Sequence, residues 1–507
     1  MQNKVIIKAI LDNIVEVQGN YSFHEGQFFY LKDKPQINAY LITATEKGAY
    51  LLIDNKSDNL KIGDELIENS QLKFVRSSHK FFGNIIDVYG NVILPKPSTV
   101  TYDVPYVADL WSKPVNMLAR QELNTQLYTG ILGIDLFTPI GLGQRQLILG
   151  DRKTGKSHIA LNMIINQIKR NVKCIYVSIG QKRENLASVY DLLKKHGALS
   201  NTIIIEASAT SAYQQFLAPY VAMAHAENFS YEDDVLVVFD DLTQHAHVYR
   251  ELSLLIDKPI GKEAFPGDVF YLHSKLLEKS GKFIGRKSIT CIPIVKTINN
   301  DVTGLISTNI ISITDGQIVT DTDLFAQGKL PAINFNLSVS RTGNSVQNQT
   351  TKTIAGEISK IYLAYKKQIR LANLDYELNK ETSELIHKGR EIEKMLNQKG
   401  LAGYSERFLL LMAKLITWGI LRYVSDSEKA KKFITTLIDQ DPVAEAIFKM
   451  VVSGENFDNV LMKNYFASAL NQYFTAAKID NYIPLDIEFI KFTTAEMNTI
   501  IKKMENA

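Results

Sequence analysis

The sequence predicts a multidomain chain: an N-terminal β-barrel over residues 1–75, a central α/β P-loop domain with a mostly parallel sheet over 76–347, and an α-helical domain over 348–507. Three observations carry that division. Short strand-like runs broken by Gly, Asn and Asp turns extend from Val5 to Lys73. Compact apolar runs alternate with helical patterns between Gln146 and Asn336, and long amphipathic patterns with few strand signals follow Thr350.

In the first module the strand-like runs are Lys4 to Ile7, Asn13 to Gln18, Phe28 to Leu31, Ala39 to Thr43 and Ala49 to Ile53. Their short, repeated spacing suits a barrel, although an open sandwich reads much the same. After Phe82 comes a linker-like passage, in which Gly83 and Gly90 flank an apolar strand and Pro95, Pro97 and Pro105 hold the chain extended. The central strands are Gln146 to Leu149, Lys173 to Ile179, Thr202 to Glu206, Val235 to Phe239 and Ser288 to Val295. Each is continuously apolar, as strands covered on both faces require. Helices His158 to Lys169, Leu186 to His196 and Ser211 to Asn228 fill the gaps, and Ile354 to Leu374, Lys380 to Asn397 and Glu406 to Val424 begin the helical end.

With 45% apolar residues, 22% charged residues and a net charge of +3, the chain is an ordinary globular protein with no global field for nucleic acid. Cys174 and Cys291 lie in strand-like runs and read as buried, reduced thiols. Met1 to Gln18 lacks the continuous apolar stretch of a signal peptide, and no segment approaches about 20 uninterrupted apolar residues. A cytoplasmic location is expected, with a peripheral place on the inner face of the cell membrane if the assembly couples to one.

Chemistry concentrates at Gly150-Asp151-Arg152-Lys153-Thr154-Gly155-Lys156-Ser157, a complete phosphate-binding loop between a strand and a helix. In such a loop backbone N–H groups face the α/β-phosphates, the lysine reaches the β/γ-phosphates, and the final hydroxyl ligates Mg2+. ATP or ADP with Mg2+ is therefore the expected ligand. A second carboxylate is supplied where Val235 to Phe239 runs into Asp240 and Asp241; Asp240 is the candidate for Mg2+, the alternative being that both acids cap the next helix. Hydrolysis also needs a base for the attacking water, commonly a glutamate after the strand beside the loop. Gln181 stands there, and an amide cannot take the proton; Glu184, three residues on, is the alternative base. Ser338 to Gly343 places Arg341 among small residues, by itself an ordinary surface pattern. His245, His247 and His273 have no metal-set spacing and read as helix-packing residues; Trp111 and Trp418 read as core.

These passages together resemble the alpha subunit of the F-type ATP synthase. The likeness rests on Pro139 to Arg145 leading into the loop, Val177 to Arg183, Asp240-Asp241-Leu242, Gly267 to Ser274, Ile311 to Gln317, and Pro331 to Asn334 running on to Arg341. It is strong over residues 80 to 350 and one of pattern elsewhere. The resemblance implies a RecA-like central domain, with Lys156 and Ser157 on phosphate and Mg2+ and with Lys153, Gly155 and His158 completing the loop. It further implies Asp240 as the acid behind Mg2+, and Gln181 where the beta-type partner has its catalytic glutamate. Arg341 would reach in trans into that partner's site. The implied partners are a beta-type catalytic subunit in an alternating hexamer and a central gamma-type rotor subunit, with no nucleic acid and with membrane contact only through other subunits.

Several positions depart from the family pattern. The chain enters its first strand without the usual leading helix, which puts stalk docking in question. Lys153 replaces a usual glutamine and Ser157 a usual threonine; Gln398 alone remains of two glutamines near the adenine pocket; and Arg370 to Lys380, facing the rotor, looks shortened. Two versions follow: a proton-coupled ATP synthase, or a divergent ATPase head of wall-less bacteria that drives other machinery such as gliding. A self-sufficient homohexameric P-loop motor, such as a secretion ATPase or helicase-like protein, is the alternative, and it requires a base where Gln181 stands.

Overall fold

The computed structural model describes residues 4–46, 48–54, 60–98, 100–372, 380–398, 400–401, 404, 406–453, 458–487 and 489–506. It divides into two compact units, Met1–Thr129 with Thr138–Val346, and Gly130–Phe137 with Gln347–Ala507.

The first unit opens with β1 (Val5–Leu11), β2 (Ile14–Gln18), β3 (Phe28–Leu31), β4 (Lys34–Thr45), β5 (Gly48–Ile53) and β6 (Glu65–Glu68), closed as a barrel in the order β1-β2-β5-β4-β3-β6. The barrel, not the sandwich, is thus formed. Its closing strand β6 has no sequence signal, because Glu-Leu-Ile-Glu buries only Leu66, which meets Val5 on one side and Leu31 on the other. Alternate residues fill the interior, among them Val15, Val17, Phe29, Leu31, Leu51 and Ile53. Ile14, Phe28, Tyr40 and Leu52 face outward, yet they are buried in the unit's main core. One wall of the barrel is therefore apolar on both faces, and each such side chain contributes about 1.5–3 kcal/mol by leaving water.

Two short ribbons follow, β7 (Phe74–Arg76) with β10 (Val107–Asp109) and β11 (Gln126–Leu127) with β12 (Ile140–Gly141). The central sheet is formed by β8 (Ile85–Ile86), β9 (Val92–Leu94), β13 (Leu147–Gly150), β14 (Lys173–Ile179), β15 (Thr202–Ala207), β16 (Val235–Asp240), β17 (Ile289–Lys296), β18 (Gly316–Val319) and β19 (Val339–Ser340). Its order is β19-β18-β13-β17-β16-β14-β15-β8-β9. All neighbours from β18 to β8 run parallel, and only the edge strands β19 and β9 run antiparallel. The passage after Phe82 is accordingly not a linker: Ile85 and Ile86 pair with Ile204 and Ile205 and are buried at the far side of the sheet. The apolar strand expected between Gly83 and Gly90 is thus present as β8, and its place at the far side of the sheet is what the sequence does not show.

Helices Lys156–Gln167, Arg183–Lys195, Ala212–Phe229 and Leu242–Leu255 connect these strands. Ala212–Phe229 is buried on every side, which explains its lack of an amphipathic stripe. Its start is fixed by Ser211, whose hydroxyl accepts from the Gln214 N–H at 3.2 Å. Cys174 and Cys291 are free, buried thiols.

The second unit is helical, with Gln349–Ala372, Lys380–Leu396, Glu406–Thr417, Ser427–Gln440, Pro442–Ser453, Asn459–Ala476 and Thr494–Asn506. Gly389 lets two of these helices meet closely, since a Cβ there would lie 2.0 Å from the Tyr365 ring. Residues 373–379 of the segment expected to face a rotor, and Lys399 near Gln398, lie outside the described residues. Among the described residues no helix is long and apolar enough to cross a membrane.

Candidate functional site

The loop begins where β13 ends. Gly150 has φ +150° and sits so close to Thr320 that a Cβ would lie 2.0 Å from the Thr320 hydroxyl oxygen and 2.6 Å from its carbonyl oxygen. No other residue fits there. Asp151 spends its carboxylate on the scaffold, accepting from the Thr297 hydroxyl at 2.6 Å and the Asn300 N–H at 2.9 Å. Thr154 likewise bonds the Asp151 carbonyl at 2.8 Å and meets the Thr320 hydroxyl at 2.6 Å. Arg152 and Lys153 remain exposed, Lys153 with a left-handed backbone at φ +64°. Gly155, at φ +89°, precedes helix Lys156–Gln167, and no atom lies within 4 Å of where its Cβ would stand. The first N–H groups of that helix and its dipole favour an anion at this end. Ser157 is half-buried at the helix start, and the His158 side chain is exposed.

Lys156 is largely buried. Its Nζ folds back onto the Asp151 carbonyl and lies 3.5 Å from the Thr154 hydroxyl. Burial pushes its pKa down to about 8, against the pull of Asp241, Asp240 and Asp151. A buried ammonium without an anionic partner in contact is poised for one.

The two acids after Phe239 divide their work. Asp241 caps helix Leu242–Leu255 by accepting from the Gln244 N–H at 2.8 Å, and it pairs with Lys296 Nζ at 2.6 Å. Asp240 takes no part in the cap. It ends β16 with its Oδ2 accepting from the Tyr176 hydroxyl at 2.6 Å, and burial and the Asp241 charge hold its carboxyl above the usual range. The Gln181 amide donates to the Asp240 carbonyl at 3.1 Å, so its N–H face is already committed to the strand end. Glu184 sits exposed in the first turn of helix Arg183–Lys195.

Arg341 lies elsewhere. It follows β19, whose Ser340 pairs with Gly316 at the beginning of β18, whereas the loop follows the end of β13, which runs parallel to β18. The strand from Asp315 to Thr320 separates the two ends of the sheet, about 16 Å at ~3.3 Å per residue. The Arg341 N–H donates to the Asp315 carbonyl at 2.7 Å while its side chain is exposed. Its backbone is held, and its exposed side chain reaches back through Nη2 to the Ile311 carbonyl at 3.4 Å.

Gln398 belongs to the second unit, where its amide bridges segment 130–137, accepting from the Leu132 N–H at 2.7 Å and donating to the Gly130 carbonyl at 3.1 Å. His245 and His273 pack against each other, His245 Nδ1 lying 3.4 Å from His273 Nε2. Burial lowers their pKa values to about 4 and about 3, so both are neutral packing residues. Tyr176, Lys296 and Thr320 support the site without any local sequence signal; Tyr176 comes from the middle of β14, Lys296 ends β17 and Thr320 follows β18.

A phosphate loop at a strand end, a facing buried acid and a flanking helix dipole define a P-loop nucleotide-binding protein. Residues 130–340 match the family described as ATP synthase alpha/beta family, nucleotide-binding domain, and residues 347–504 match the ATP synthase alpha/beta chain, C terminal domain. The chain is 47% identical over 433 residues to ATP synthase subunit alpha 2 of Mycoplasmopsis pulmonis, spanning 84% of this chain and 83% of that protein. It is 37% identical over 491 residues to subunit alpha 1 of the same organism (94% and 91%), and 38% identical over 402 residues to ATP synthase subunit alpha of Clostridium acetobutylicum (77% and 78%). The chain belongs to the ATP synthase alpha/beta family, with alpha subunits as its relatives.

Proposed function

We propose that this chain is the nucleotide-holding, catalytically silent alpha-type subunit of a rotary ATPase head, and that Arg341 serves the catalytic site of a beta-type neighbour in an alternating hexamer around a gamma-type rotor. The observation that carries the proposal is the separation of Arg341 from the chain's own loop, at the opposite end of the parallel sheet, with a held backbone and an exposed side chain. A group so placed is available to another subunit's phosphates and not to its own.

At the chain's own site, Gly150 to His158 would cradle the phosphates of ATP or ADP, and Lys156 would meet the β/γ-phosphates. The residues fit Mg2+, because the Ser157 hydroxyl and the buried Asp240 carboxylate offer oxygen donors and Asp240, held above its usual range by burial, gains from a cation. When bound, Mg2+ neutralises charge on the phosphate oxygens. Water attack on the γ-phosphorus must release a proton as the bond to the bridging oxygen breaks, and the Gln181 amide has no capacity to take it.

Nucleotide affinity is expected to depend on pH through Lys156. Its pKa of about 8 rises when phosphates pair with it, so above pH 8 binding takes up a proton. Affinity is then full below pH 8 and falls above it, by about tenfold at pH 9. Titration of the purified chain with a fluorescent ATP analogue from pH 7 to 9.5 measures this, and a flat profile would assign Lys156 a different partner.

Both mycoplasmal relatives carry the name ATP synthase subunit alpha; beside the proton-coupled version stands the divergent one, serving machinery other than proton-coupled synthesis, and it is open to test. Isolating the native complex through a tag on this chain tests it. The expected companions are a beta-type subunit with proteins outside the synthase set. A stalk-docking subunit and a membrane ring in stoichiometric amounts would instead establish the proton-coupled version, and recovery of this chain alone as a hexamer would refute the alternating ring.

A further inference from the structure

We infer that Gln144 is a positioning residue for Arg341, clamping the backbone on both sides of it and so setting where the guanidinium stands; the inference rests on the in-trans role proposed above. Gln144 is fully buried. Its Oε1 accepts from the Gly141 N–H at 2.7 Å and from the Thr342 hydroxyl at 2.8 Å. Its Nε2 donates to Gln146 Oε1 at 2.8 Å and to the Ser340 hydroxyl oxygen at 3.2 Å. Both lone pairs and both protons of the amide are therefore engaged, and the two hydroxyls it holds belong to the residues immediately before and after Arg341.

The neighbours of Gln144 extend the clamp. Gln146, also fully buried, donates to the Val339 carbonyl at 3.1 Å. Arg145 forks onto Asp315, with Nε–Oδ2 of 3.0 Å and Nη2–Oδ1 of 2.7 Å, and the Asp315 carbonyl in turn accepts from the Arg341 N–H. Residues 144–146 thus grip 339–342 through alternate side chains, Gln144 and Gln146 on one face and Arg145 on the other. A buried amide with every site satisfied permits one arrangement, because any shift strands a donor or acceptor away from water. Only Gln has the reach and both polarities for this set: Glu lacks the donors, and Leu lacks everything but the volume.

Displacing a charge-stabilising group by about 1 Å can cost about 100-fold in rate. In a ring reconstituted with its catalytic partner, Gln144→Leu and the milder, half-exposed Thr342→Val are expected to lower kcat, by about 10- to 100-fold and a fewfold respectively, with KM for ATP shifted less than about twofold. The deciding readout is a double-mutant cycle. In an Arg341→Ala background the same substitutions should cause no further loss, because there is no guanidinium left to misplace. Equal losses in both backgrounds, or no loss from either substitution, would overturn the inference; if Gln144→Leu fails to assemble, Thr342→Val alone decides. An Arg341→Ala ring with normal turnover would sink the in-trans role itself and the clamp with it, whereas a slow Arg341→Ala ring with unaffected Gln144 and Thr342 variants would remove the clamp alone.

Discussion

Arg341→Ala is expected to lower turnover of the assembled ring by about 1,000- to 100,000-fold while leaving nucleotide on this chain. The size follows from what a guanidinium does beside a transferring phosphoryl group: charge spreads over the equatorial oxygens as the bridging bond breaks, and a fixed, forked cation aimed at them stabilises that charge more than the ground state. The fold presents Arg341 for such work, since its N–H is held by the Asp315 carbonyl and its side chain is exposed. Because the chain's own loop lies at the other end of the sheet, the substitution should not loosen ATP there. Steady-state phosphate release from the ring, together with nucleotide extracted from this subunit, measures both halves. Arg341→Lys should recover only part of the rate, because an ammonium keeps the charge and loses the fork.

The second large effect concerns the chain's own site. ATP bound at Gly150 to Ser157 is expected to turn over about 100- to 10,000-fold more slowly than at a site with a general base. Gln181 follows the end of β14, which pairs with β16 and is separated from the loop's strand by β16 and β17, and its amide is engaged with the Asp240 carbonyl at 3.1 Å. Glu184 is exposed in the next helix. Single-turnover phosphate release from the purified chain should therefore be slow and indifferent to Glu184→Gln. A fast phase abolished by Glu184→Gln would make Glu184 the base and revive the self-sufficient homohexameric motor.

The parallel sheet was the most legible part of the fold, because strands buried on both faces write continuous apolar runs such as Val235 to Phe239, and no surface pattern competes with them. The phosphate loop was equally plain, since Gly150 and Gly155 are demanded by close approach and positive φ. Pairings that depend on distant partners were harder to see. Glu65–Glu68 closes the barrel through one buried leucine and left no signal, whereas the apolar run at Ile85–Ile86 was plain and only its pairing with Ile204 and Ile205 was not. Division of labour between Asp240 and Asp241 was also beyond the sequence. Either could have capped the helix, and only the Gln244 N–H on Asp241 and the Tyr176 hydroxyl on Asp240 separate them. The clamp at Gln144 is invisible for the same reason: its partners Ser340 and Thr342 are 196 and 198 residues away along the chain.

The most direct test of a subunit that contributes to catalysis without performing it is a ring in which this chain is intact and the beta-type partner's own loop lysine has been replaced. Steady-state ATP hydrolysis by that ring should fall to background, although nucleotide still occupies this chain. Hydrolysis persisting near half of the intact ring's rate would mean that Gly150 to Ser157 forms a working catalytic site, and would contradict the account.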